Sequence, residues 1–251
     1  MIRLALFLWL AALPAAAEEV IAALSQDRVS ISTSFDGSEI LVFGAVKRTE
    51  PIPRGQPLQV IVTIAGPAEP VTVRRKDRRF GIWINTEAVE VDSAPSFYAV
   101  ATTAPLSEAL TRTEDQRWRI SPRRVVRAVD VAGMSDHAPD FLTALIRVRQ
   151  ANGSYVIAEE EVILRDDTLF STEIDLPANL TEGNYDTRIF LTRDGQVIDS
   201  FATSIFVRKV GLERWIYNLA HEQPLIYGLL SLAIAIAAGW GASAVFQLVR
   251  R

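Results

Sequence analysis

From Leu225 to Val249 the chain runs through 25 consecutive residues without a charge. At about 1.5 Å per residue, a helix of that length exceeds the ~30 Å hydrocarbon thickness of a bilayer. A soluble helix so long normally keeps a polar face, and this segment has none. Residues 224–249 are therefore expected to form a transmembrane helix, with Pro224 in the first turn, where its missing N–H costs nothing. Arg250 and Arg251 follow the span. Positive charge favours the cytoplasmic side, so residues 250–251 read as a cytoplasmic tail. Within the span, Ser231, Ala235, Ala238 and Ala242 recur at i, i+4, i+7, i+11 with Gly239 beside them. Such a small-residue stripe suits close approach of a second helix.

The N-terminus has its own signal. Arg3 precedes the apolar run Leu4 to Leu13, and Ala15 and Ala17 make an A-x-A site before Glu18. Residues 1–17 thus read as a cleaved signal peptide, the apolar run being too short to span lipid. Together the two ends predict a single-pass protein of the bacterial inner membrane with its body in the periplasm. Just before the span, Leu212, Trp215, Ile216 and Leu219 repeat at helical spacing, which predicts an amphipathic juxtamembrane helix over 211–223. Trp215 and Tyr217 are interfacial residue types and are expected to anchor it at the lipid surface; packing on the body is the alternative.

Charge and cysteine bound what the body does. The chain has 26 basic and 30 acidic residues, a net of −4, and removal of Arg3 with the signal makes this −5. A nucleic-acid partner needs a basic excess, so none is expected. With no cysteine, disulfides, thiol catalysis and Cys-ligated zinc are excluded, and stability has to come from core burial and sheet pairing.

The body reads as mainly β. Short β-branched runs at 29–32, 39–46, 58–65, 71–74, 80–84 and 97–102 are punctuated by Pro and Gly, and Asp36-Gly37 suggests a hairpin between the first two. This predicts a first antiparallel β-sandwich over 18–104. The helical, charged stretch 105–127 reads as a connection. In 128–210 the alternation is cleaner: Phe170, Thr172, Ile174 and Leu176 face one way, and Tyr185, Thr187, Ile189 and Leu191 repeat the pattern. Asp194-Gly195 and Asn152-Gly153 read as hairpin turns. Leu180, Gly183 and Tyr185 resemble a tyrosine corner, so the second domain is expected to be an immunoglobulin-like sandwich.

Several runs carry a family resemblance: Phe35-Asp36-Gly37-Ser38-Glu39, Leu41-Val42-Phe43-Gly44-Ala45, Gly81-Ile82-Trp83-Ile84-Asn85, Pro95-Ser96-Phe97-Tyr98-Ala99-Val100 and Ala238-Gly239-Trp240. Through them the chain resembles an uncharacterised alphaproteobacterial transmembrane protein family over nearly its whole mature length. The resemblance implies an exported body and a single C-terminal anchor, without an activity. It also points to company with sulfite-exporter-type permeases.

Chemistry-bearing residues are sparse. No nucleophile elbow, phosphate loop, H-E-x-x-H or EF-hand pattern occurs. No catalytic, cofactor-binding or metal-ligating set is expected. His137, between Asp136 and Asp140, and His221 read as turn and helix-end residues, and Glu159 to Glu161 with Asp166 and Asp167 as a solvated edge. A different signal lies in Arg74, Arg75, Lys76, Arg78 and Arg79, five cations around one Asp77 before Gly81-Ile82-Trp83. Guanidinium forks suit phosphate and carboxylate, so this hairpin tip, with Trp83, is expected to contact lipid headgroups or an acidic partner. The expected role is a noncatalytic, membrane-anchored accessory protein beside a multi-spanning partner such as a transporter. The alternative is a periplasmic small-molecule-binding or sensing module acting through a membrane partner.

Overall fold

The computed structural model describes residues 18–32, 35–49, 57–128, 138–209 and 212–249. The expected signal peptide, His137 and the two-residue tail lie outside them. The described chain runs β1 (Glu18–Leu24), β2 (Arg28–Ile31), β3 (Gly37–Arg48), β4 (Gln59–Ala65), β5 (Ala68–Arg79), β6 (Ile82–Pro95) and β7 (Tyr98–Thr102). Four helices follow, α1 (Leu106–Ala109), α2 (Arg112–Trp118), α3 (Pro122–Val125) and α4 (Ala138–Ala151). Then come β8 (Tyr155–Ala158), β9 (Ile163–Arg165), β10 (Leu169–Pro177), β11 (Gly183–Arg193) and β12 (Gln196–Lys209), and finally α5 (Leu212–Glu222) and α6 (Pro224–Val249).

The strands form a six-stranded sheet in the order β2-β12-β11-β4-β7-β8, a four-stranded sheet β1-β3-β10-β9, and the separate ribbon β5-β6. This corrects the expected division into sandwiches at 18–104 and 128–210. β3 pairs with β10 through Val42↔Thr172 and Ile40↔Ile174, and β4 pairs with β11 through Val62↔Ile189. The two stretches share both sheets, because alternation along a strand fixes which side chains point inward but not which strand lies alongside. The expected hairpin at Asp36-Gly37 is likewise absent, since β2 is the neighbour of β12 and β3 lies between β1 and β10. Asp194-Gly195 behaves as expected: both residues have positive φ, 51° and 71°, and join β11 to β12.

At its centre the six-stranded sheet is buried on both faces. Val60 to Ile64 of β4 and Tyr98 to Thr102 of β7 are all buried. On one face Ile61, Tyr98, Val100, Tyr155 and Phe190 pack with Ala109, Leu110, Ile120 and Leu145 of the helical segments. Stretch 105–127, expected as a connection, is thus a cover. The Arg188 guanidinium donates to the Trp118 carbonyl (2.9 Å) and the Arg119 carbonyl (3.2 Å) at the end of α2, Trp118 meets Phe190 edge-on at 5.5 Å, and the Tyr98 hydroxyl donates to the Ile120 carbonyl. Burial pushes the Tyr98 hydroxyl well above the ordinary tyrosine range and that of Tyr155 up to about 12, with Arg149 opposing the latter shift.

α4 falls within the expected second sandwich and is not strand. Gly153 ends it: its N–H donates to the Gln150 carbonyl (3.0 Å) and the Ser154 N–H to the Arg149 carbonyl (2.9 Å). That is a Schellman cap, for which the positive φ of Gly153 (70°) is suited. Asn152-Gly153 therefore closes a helix rather than a hairpin. The Tyr185 hydroxyl donates to the Thr181 carbonyl (2.9 Å), the local tie expected of Tyr185.

The small sheet is tied to the large one by charge. Glu18 of β1 accepts from Arg48 Nε (2.6 Å) and, with both carboxylate oxygens, from Arg193 (2.9 and 3.0 Å), all three side chains being about nine-tenths buried. Asp199 accepts from the Val20 N–H (2.7 Å). The described chain divides into two compact units. In the second, α5 and α6 meet at Gln223, where the Gln223 N–H donates to the Leu219 carbonyl and the Tyr227 N–H to the Gln223 carbonyl, both at 3.1 Å.

Removing one member of a buried ion cluster leaves the others desolvated and unpaired. Glu18→Ala is therefore expected to lower the unfolding free energy by about 3–5 kcal/mol, measured by urea denaturation of the detergent-solubilised chain. Glu19→Ala removes the neighbouring exposed pair with Lys47 (3.0 Å) and is expected to change it by less than about 1 kcal/mol.

Candidate functional site

The ribbon β5-β6 is where the body departs from burial. Its base is held: Val89 packs with Phe141 of α4, Val91 and Ala94 enter the core, and Ser93 bridges to Arg127. Beyond the base the chain leaves the body. From Arg74 to Ala88 every residue but Thr86 is exposed, and a register shift at Arg75/Lys76 marks the passage. A bulge of this kind raises the local twist.

Phe80 and Gly81 close the ribbon with φ of 52° and 85°. Two positive φ values in a two-residue loop make a type I′ turn, whose twist matches the strands. Glycine takes that conformation freely, whereas for a residue with a side chain it costs about 1–3 kcal/mol. No packing offsets the cost, because Phe80 is fully exposed at 105%. Ile82 (64%), Trp83 (68%) and Ile84 (38%) are exposed beside it. Each large apolar side chain left in water forgoes about 1.5–3 kcal/mol of burial.

The cations surround this apex. Arg79 lies opposite Ile82, Arg78 opposite Trp83 and Lys76 opposite Asn85. Directly opposed residues share a face of the ribbon, so both faces carry a cation beside an uncharged partner. Asp77 reaches Arg79 at 3.5 Å and Glu87 reaches Arg75 at 3.8 Å. Exposed pairs of this kind are worth at most about 1 kcal/mol. Five cations against Asp77 and Glu87 leave the outer part of the ribbon, residues 74–88, at +3 in a chain of net −4, while Glu69, Glu90 and Asp92 lie nearer the base. All five expected cations and Trp83 are thus brought to one element. The sequence reading missed Phe80, Ile82 and Ile84 as site residues, because an apolar run at strand spacing ordinarily faces a core. The signal available was Phe80 directly before Gly81 at a turn.

At the arm's base, Val73, Arg74 and Arg75 face Asp140, Phe141 and Arg147 of α4 across an open groove of about 460 Å³. Arg74, Arg75 and Arg147 outnumber the one lining carboxylate, Asp140, and guanidinium groups in excess suit a small anion.

The remaining expected residues are spread elsewhere. Ser231, Ala235, Ala238, Gly239 and Ala242 are exposed on α6, whose residues 224–243 are long and apolar enough to cross a membrane and show no burial. Trp215 and Tyr217 are exposed on α5, and Tyr217 stacks on His221 at 4.0 Å. Glu160, Asp166 and Asp167 occupy positive-φ turn positions (64°, 50° and 49°). Among the described residues no three His, Asp or Glu side chains converge as metal ligands.

Residues 19–248 match the family model described as "Putative transmembrane protein (Alph_Pro_TM)". No curated protein matches the chain. Among solved structures, the chain is similar to Spo0M, a sporulation control protein from Bacillus subtilis, at 14% identity and a TM-score of 0.27. The likeness covers 81% of this chain and 53% of that one, so the chain spans about half of Spo0M's length. A superposition that loose transfers neither fold nor activity.

If the apex serves contact rather than folding, Phe80→Gly relieves the turn and raises stability by about 1 kcal/mol or more. Replacing Arg74, Arg75, Arg78 and Arg79 by Ser is expected to leave it within about 0.5 kcal/mol. Urea midpoints read both, and a loss in either variant would mean that the arm packs on something within the chain.

Proposed function

We propose, for a chain that belongs to the Alph_Pro_TM transmembrane protein family, a noncatalytic role as a membrane-anchored accessory protein. In this reading α6 holds the chain in the bacterial inner membrane with its C-terminus in the cytoplasm. The β-rich body, exported behind a cleaved signal, works in the periplasm as an interaction module beside a multi-spanning membrane protein such as a transporter.

The observation that carries the reading is α6 itself, a 26-residue helix without a charged side chain and without burial over 224–243. Its small-residue face supports the step from anchoring to partnership, because helices in lipid associate through close backbone approach. Leucines placed on that face obstruct such an approach and leave the helix apolar. Ala235→Leu with Ala238→Leu is expected to keep the chain in membranes but to lose a partner crosslinked in native membranes. An unchanged crosslinked complex would remove the helix-packing role.

The groove between β5 and α4 favours a second reading, a sensing module for a small anionic molecule. Binding to the folded state alone raises the melting temperature with ligand concentration. A panel of small phosphate-, sulfonate- and carboxylate-bearing compounds is expected to stabilise the chain in this case, with the shift lost in Arg147→Ala. Absence of any shift across the panel would leave the accessory role as the sole reading.

A further inference from the structure

We infer that the β5-β6 arm is a second, reversible membrane contact: its apex enters the headgroup region of an anionic bilayer while its cations bind lipid phosphates. The inference rests on the membrane-anchored reading above and extends it to the body.

The order of chemistry along the arm carries the argument. Phe80 stands at the apex, Ile82, Trp83 and Ile84 follow on the return strand, and Arg79, Arg78, Lys76, Arg75 and Arg74 line the outgoing strand from tip to base. A bilayer presents the complementary sequence to an approaching ribbon, with anionic phosphates outermost and hydrocarbon beneath. An acidic protein surface would satisfy the guanidinium groups but leave the fully exposed Phe80 apex without an apolar partner. Lipid satisfies both.

Depth is limited by the backbone. The free edges of a two-stranded ribbon carry unpaired N–H and C=O groups, which hydrocarbon does not tolerate. The apex therefore stops at the boundary of headgroups and acyl chains, about 5–10 Å down. Two residues of strand span about 7 Å, which takes Phe80 into the boundary and leaves Trp83 and Arg78 at headgroup level. Tryptophan favours that level, and arginine extends its head toward phosphate while its stem stays apolar.

The test uses the full chain, which has no native cysteine, so one introduced thiol is labelled uniquely. Phe80→Cys carrying an environment-sensitive fluorophore is reconstituted in phosphatidylcholine vesicles with and without phosphatidylglycerol. Thr72→Cys, exposed at the base of the arm, is the control. The apex label is expected to shift to the blue and to be quenched by lipid-borne nitroxide when phosphatidylglycerol is present, while the Thr72 label stays in water. Each of Arg74, Arg75, Arg78 and Arg79 changed to Ser is expected to lower the inserted-to-free ratio about fivefold. An apex label that reports water in both vesicle types overturns the inference. So does a label shielded only in native membranes, which would assign the arm to a protein partner. A carbonate wash of the same vesicles separates this inference from the reading beneath it. Release of the chain removes the anchor, while a lipid-facing label still supports the arm. Retention with a water-facing label removes the arm alone.

Discussion

The pairing of β4 with β11 is the constraint on which the rest of the body depends. Thr63 and Arg188, which meet across this pair, are 125 residues apart in the chain, so neither half of the sequence completes the central sheet alone. Once paired, both strands lie beneath cover on each face. The Thr192 hydroxyl finds the Ala109 carbonyl at 2.7 Å, and the four-stranded sheet closes over the opposite side through Glu18, Arg193 and Asp199. With no cysteine in the chain, no disulfide shortens the loop between the strands. Its closure entropy has to be met by burial alone, and folding dominated by such distant contacts is expected to be slow.

The helical stretch after β7 follows from that arrangement. A sheet with two apolar faces needs two covers, and the four-stranded sheet supplies one. Asp115 accepts from the Ile120 and Ser121 N–H groups and the Ser121 hydroxyl, fixing the turn from α2 into α3 with Ile120 buried in the core beneath. Arg188 reaches from β11 to the end of α2. Two of the charged residues that make this stretch look like a solvated linker help to fasten it: Asp115 holds its turn, and Glu114 accepts from the Val197 N–H of β12 (3.4 Å).

That contrast explains what was legible beforehand. Local physics was readable: the apolar span, the amphipathic α5, the Asp194-Gly195 turn, the alternation of β10 and the hydroxyl tie of Tyr185 all depend on neighbours within a few residues. Pairing was not readable, because Val42 meets Thr172 through a register that no local period encodes. Asn152-Gly153 shows the same limit at short range, since a positive-φ glycine serves a helix cap as well as a hairpin and only the preceding helix decides. For the site, composition disclosed the cations but not the apex. Phe80 and Ile82 have the residue types of a core strand, and their exposure follows from the ribbon leaving the body, which is a tertiary fact.

An arm of this composition is a liability on a protein free in solution, since exposed apolar side chains on a ribbon with open edges invite pairing between copies. Its charge opposes that outcome. The outer parts of two such arms, each at +3 over residues 74–88, repel one another at close range, whereas an anionic surface attracts both. The cations that suit the arm to an anionic surface also oppose association between its copies, and they lie on both faces of the ribbon because Arg78 and Arg79 alternate sides. If the arm meets a bilayer as inferred above, a membrane tether raises its effective concentration there, so a contact too weak to hold a free protein suffices for a tethered one.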